Sequence, residues 1–124
     1  LAIAYFGANG YTVSIPLNDM QWYDLVVEKD GKFMSVQCKF TSTKDNSIRL
    51  KSTGETNGGV YDNILNHPEL DYIFCSNDKC EMWLIPFEDL KKSGNKNEIT
   101  LMKSLNKYGA RTSTFDTSKF LVTI

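Results

Sequence analysis

No apolar run in this 124-residue chain is long enough to cross a bilayer, and no signal peptide is visible, so neither membrane residence nor secretion is expected. Cysteine is scarce. Cys38, Cys75 and Cys80 are an odd number, and a chain of this length buries roughly two-thirds of its unfolded surface without a staple. These counts point to a reducing, intracellular compartment. A cytoplasmic setting is expected, whether nucleoid-associated or phage-encoded. Histidine is scarcer still, with His67 alone. With Cys75 and Cys80 it lacks the tight paired spacing of zinc ligands, so no zinc centre is expected. The chain also lacks a strong charge of either sign. A net charge of −1 does not by itself suggest a nucleic-acid partner.

What charge there is lies in blocks. Residues 33–59 carry four Lys or Arg against two acids, and residues 89–124 carry seven against three. Residues 60–88 carry six acids against one Lys. Segregated basic charge can steer a polyanion even when the total is near zero. For any single lysine, plain solubilisation is the commoner role.

The chain opens with Leu1, Ala4, Tyr5 and Ala8 at helical spacing, stopped by Asn9-Gly10. "YTVSIP" reads as a short strand with Tyr11, Val13 and Ile15 on one face. "WYDLVVEK" and "FMSVQCKF" are strands joined through the Asp30-Gly31 turn. Residues 41–59 form a long polar excursion with one strand candidate at "SIRLK", and Gly54, Gly58 and Gly59 suggest a mobile loop. "VYDNILNHPE" suggests a short helix. "DYIFCSNDKCEMWLIP" reads as a second hairpin, "PFEDLKKSG" as a helix, and "FLVTI" as a final strand. The alternation of elements implies an α/β domain, a mixed sheet of about five strands flanked by helices.

The first hairpin carries the candidate site. Side chains alternate along a strand, so Phe33, Ser35, Gln37 and Lys39 share one face. Met34, Val36, Cys38 and Phe40 share the other, which reads as core. Asp24 opens the partner strand, so antiparallel pairing brings Asp24, Gln37 and Lys39 to one end of the hairpin. A carboxylate and an amide oxygen are hard ligands of the kind Mg²⁺ accepts. A neighbouring ammonium can hold an attacking water or stabilise charge on a phosphate. Spacing alone also fits an ordinary sheet with a surface Asp–Lys pair and a solvated Gln.

"YDLVVEKDGKFMSVQCKFT" resembles the core of the PD-(D/E)XK nuclease superfamily, in which an Asp opens one strand and a (D/E)-X-K triplet lies on the next. The triplet here is Gln37-Cys38-Lys39, with Gln where most members carry Asp or Glu. That departure is similar to the Q-x-K subgroup containing the cyanobacterial intron-encoded homing endonuclease. The helix before "GY", the strand ending in Pro and the later "WLIP" agree with it. The resemblance covers about two-thirds of the chain.

The resemblance implies a restriction-endonuclease-like core and Mg²⁺-dependent hydrolysis of DNA phosphodiesters. Asp24, Gln37 and the backbone carbonyl of Cys38 would hold the metal, and Lys39 would position the attacking water. Many members carry a Glu in the first helix. Here it would fall just before Leu1, so a single domain over residues 1–124 lacking the start of its first helix is expected. Glu28 is not a convincing replacement, because it lies at the far end of its strand.

Lys44, Arg49 and Lys51, in the excursion beside the site, are candidate DNA contacts, with Arg49 or Asn57 as possible base readers. Trp22 and Tyr23 belong either to the core or an interface, or stack on a base. The expected partner is double-stranded DNA, met as a homo-oligomer, a dimer or tetramer able to cut both strands. Homing, restriction and Holliday-junction-resolving activities all remain open. So do a non-catalytic DNA-binding module on this fold and a small interaction domain without nucleic acid.

Overall fold

Asp30 and Gly31 both adopt positive φ, at 53° and 80°. Two such residues in succession make the hairpin turn whose twist matches paired strands. They join β2 (Leu25–Lys29) to β3 (Lys32–Thr41) in the register Leu25↔Val36 through Lys29↔Lys32. The computed structural model describes residues 1–51, 62–104 and 115–124.

Among the described residues the main sheet has six strands, in keeping with the mixed sheet of about five that the sequence suggests. Its order is β1 (Thr12–Ser14), β2, β3, β5 (Tyr72–Asn77), β6 (Met82–Pro86) and β8 (Leu121–Val122). Among the described residues only β3 and β5 run parallel, with Gln37 beside Ile73 and Lys39 beside Cys75. A separate two-stranded ribbon pairs β4 (Ser47–Arg49) with β7 (Glu98–Thr100).

Each face of the sheet has its own core. Helix α1 (Ala2–Ala8) lays Phe6 on Leu25, Val27, Val36 and Phe74. It ends before Gly10, whose φ of +85° glycine adopts without strain. The opposite face carries Ile73, Cys75, Trp83 and Ile85, covered by the ribbon's Ile48 and Ile99 and by α2 (Phe87–Lys92). Helix α2 places Glu88 and Asp89 in its first turn and Lys91 and Lys92 in its last, as the helix dipole favours.

Several expectations need correction. Ile15 does not continue the strand face of Tyr11 and Val13, which are half-buried. β1 stops at Ser14, and Ile15 is 60% exposed. Phe40 is not core but 64% exposed, because β3 runs on past the part of the sheet that α1 covers. The strand expected over "WYDLVVEK" begins at Leu25, which leaves Trp22, Tyr23 and Asp24 before it, with Trp22 and Tyr23 packed against the second core. Within "VYDNILNHPE" the described part holds a 3-10 turn at Ile64–Asn66 rather than an α-helix. Cys80 lies in the turn between β5 and β6, not in a strand. Asn57 and Gly54, Gly58 and Gly59 lie outside the described residues.

Asn77 joins the sheet to the ribbon side. Its side chain is 1% exposed and fully used. Nδ2 donates to Asn46 Oδ1 at 3.2 Å and Glu81 Oε1 at 2.8 Å, and Oδ1 accepts from the N–H groups of Lys79 and Glu81. Asn77→Ala should therefore cost about 2–3 kcal/mol, since buried partners are left unsatisfied. Thermal unfolding should show Tm falling by roughly 10 °C. A change below about 0.5 kcal/mol would mean that this network does not hold the turn.

Candidate active site

The site is built by a stagger. β2 pairs with β3 only as far as Val36, whereas β5 pairs with β3 from Val36 to Thr41. On the β2 side, the last residues of β3 therefore have no strand beside them. Asp24 takes its place. Its N–H donates to the Val36 carbonyl at 2.8 Å, and its Oδ2 accepts from the Cys38 N–H at 2.8 Å. Main chain and side chain of one residue thus bracket Gln37.

In a strand, the N–H and C=O of one residue point the same way. The Cys38 carbonyl therefore faces the same open edge as its N–H. The Gln37 amide lies 3.5 Å from that carbonyl, with Nε2 turned toward it. A half-turn of the amide exchanges Nε2 and Oε1, so the same side chain can present its oxygen there.

Asp24, Gln37 and Cys38 are thus gathered at one hairpin end. Lys39 stands beside them, half-buried, on the wall of a cleft of about 760 Å³. Arg49 and Lys51 line the same cleft. Lys44 does not; it is exposed on the turn leading to β4. Glu28 accepts from the Gly31 N–H at the opposite end of the hairpin, away from the site.

The sequence reading missed Asn97 and Glu98, which line the cleft across from Lys39. The pairing of β7 with β4 brings them there. Behind β3, a second hollow of about 460 Å³ is lined by Leu1, Ile3, Cys38 and Phe40, with Lys39 at its rim.

Cys75 is buried in β5, and His67 lies between Asp62 at 2.8 Å and Glu69 at 3.2 Å while stacking on Trp22. Among the described residues, no group of three or more His, Cys, Asp and Glu could hold a metal ion. The donors at the hairpin are of another kind: a carboxylate, an amide and a backbone carbonyl. All are hard oxygens, and so few protein ligands suit a cation that keeps several of its waters, as Mg²⁺ does.

The sequence profile of PD-(D/E)XK endonucleases matches residues 1–120. The chain belongs to the PD-(D/E)XK endonuclease family. Among solved structures it is similar to a bacterial homing endonuclease, I-Ssp6803I, with a TM-score of 0.70 and 22% identity. That match covers 90% of this chain and 78% of the other. No curated protein sequence matches. The resemblance read from the hairpin is thus met by both family and fold, and membership of this family supports a nuclease. No helix among the described residues is long and apolar enough to cross a membrane.

At this hairpin end, burial pushes the Cys38 thiol up to about 11, with the Asp24 charge adding to the effect. Burial raises Cys75 to about 12. Both groups disfavour the thiolate, so at about pH 9 neither is ionised to any extent. Alkylation of the native protein should modify exposed Cys80 first and Cys38 and Cys75 far more slowly. Asp24→Asn keeps an oxygen for the Cys38 N–H but removes the charge. Cys38 should then label faster than in the wild type, as peptide mass mapping would show. An unchanged Cys38 rate would mean that Asp24 does not act electrically on this strand end.

Proposed function

We propose that this chain is a Mg²⁺-dependent DNA endonuclease of homing type that hydrolyses phosphodiester bonds. The observation that supports it is the gathering of Asp24, Gln37 and Cys38 at one end of the hairpin, with Lys39 on a cleft that also holds Arg49 and Lys51.

Asp24 Oδ1, the Gln37 amide oxygen and the Cys38 carbonyl would hold the metal. Asp24 Oδ2 is already engaged by the Cys38 N–H, and that bond fixes the carboxylate's orientation. A bound Mg²⁺ supplies Lewis-acid polarisation of the scissile phosphate. Lys39, half-buried on the wall of the cleft, orients the attacking water and stabilises charge on the phosphate. Lys44, Arg49 and Lys51 bind the duplex through contacts that weaken with salt. One such site cuts one strand, so cleavage of both calls for a homo-oligomer, a dimer or tetramer. The setting we infer is the cytoplasm.

A second reading has its own support. Asp24 is the one carboxylate among the proposed ligands, and Gln37 stands where most members carry an acid. A non-catalytic DNA-binding module on the same fold would tolerate both. Restriction and junction-resolving activities use the same chemistry and differ in the DNA they cut.

Incubation with supercoiled plasmid and with branched DNA, with and without Mg²⁺, separates these readings. The wild type should nick or linearise DNA only with the metal. Asp24→Ala and Lys39→Ala should each lower the rate by about 10²-fold or more, while Lys39→Ala keeps salt-sensitive DNA binding. Binding without cleavage by the wild type would favour the module. Undiminished cleavage by Lys39→Ala would remove Lys39 from the proposed site.

A further inference from the structure

The ribbon has one apolar and one polar face. Ile48 and Ile99 point into the core. By alternation, Ser47 and Arg49 of β4 share the outer face with Thr100 and Glu98 of β7, paired Ser47↔Thr100 and Arg49↔Glu98. Arg49 and Glu98 are exposed, and both line the cleft that holds Lys39. Directly opposed opposite charges often form an ion pair. This pair does not: the ion pairs among the described residues join His67 to Asp62 and Glu69, and Lys103 to Glu81. Arg49 and Glu98 therefore both keep their hydrogen-bonding capacity for a ligand.

A carboxylate in a cleft that only gripped phosphates would oppose its ligand. Beside a base it has a use, because it accepts from the exocyclic amine of cytosine, as Arg donates in bidentate fashion to guanine. The DNA major groove admits a two-stranded ribbon of this kind. Directly opposed residues such as Arg49 and Glu98 have Cβ atoms about 4.5–5.5 Å apart, a spacing between one and two base-pair steps of about 3.4 Å each. We propose that the outer face of the β4–β7 ribbon reads base edges in the major groove, with Arg49 and Glu98 as the specificity-determining pair at one or two adjacent G·C positions. This rests on the reading of the chain as a DNA nuclease.

The test is selection of the full chain on a randomised duplex library with metal chelated, so that binding is read apart from cleavage. Wild type, Arg49→Lys and Glu98→Gln are compared. Both changes lie on an exposed face and should leave Tm unchanged. Arg49→Lys keeps the charge but loses the bidentate fork. The wild type should enrich a defined motif. Arg49→Lys should relax a guanine by about tenfold, and Glu98→Gln should shift an adjacent cytosine preference toward adenine.

An unmoved motif in both variants would overturn the proposal. So would an equal gain in affinity on every sequence for Glu98→Gln, which would mark Glu98 as a plain opposing charge. Wild-type binding with no motif would also overturn it, leaving the nuclease reading intact. No duplex binding at all would bring down that reading as well.

Discussion

The rest of the site depends on where β2 stops. A strand inside a sheet has its backbone groups taken on both sides, and nothing is left for a ligand. β3 escapes this because its two neighbours are staggered: β2 serves its first half and β5 its second. The exposed edge at Cys38 would be a liability if left bare. Asp24 covers the N–H with its own carboxylate, while the carbonyl beside it faces outward. One acidic side chain thus terminates the hairpin, satisfies a donor and takes a fixed place at the site.

The parallel pair β3–β5 sets the other half of the geometry. Lys39 sits beside Cys75, and Gln37 beside Ile73, at the margin of the second core. Two polar side chains over an apolar surface would be costly if that core were fully roofed there. The roof steps aside instead. The ribbon covers Ile73 and Trp83 through Ile48 and Ile99, but between the ribbon and the end of β3 it leaves a cleft. The turn before β4 is anchored beneath the ribbon, where Asn46 is tied to buried Asn77 and its carbonyl accepts from the Leu101 N–H at 2.9 Å. Stability and site geometry therefore share the same hydrogen bonds.

These particulars decide what could be read from the letters. The hairpin was legible because Asp30-Gly31 fixes the turn, and the turn fixes the register down to Leu25↔Val36. Helix α2 was legible from its charges and from Pro86 just before it. The ribbon was harder. Each of its strands has three residues, too few for alternation to stand out, and their partners lie far apart in the chain. For the same reason Asn97 and Glu98 carried no signal as cleft residues. The exposure of Phe40 and Ile15 was hidden too, since alternation states which face a residue takes but not how far the covering layer extends. Asn77 reads as a turn residue, and its burial is a product of tertiary packing alone.

Gln37 has a consequence for how the proposed site would handle charge. Replacing a carboxylate by an amide removes one negative charge while keeping an oxygen ligand. With Asp24 the only anion among the proposed ligands, a divalent cation held there would keep a net positive charge. Such a cation would attract phosphate strongly. Without the cation, the hairpin end carries little negative charge to repel the DNA backbone. On the proposed reading, the basic wall of Lys39, Arg49 and Lys51 would then engage the duplex first. On the proposed ligand set, metal and DNA affinities would reinforce one another.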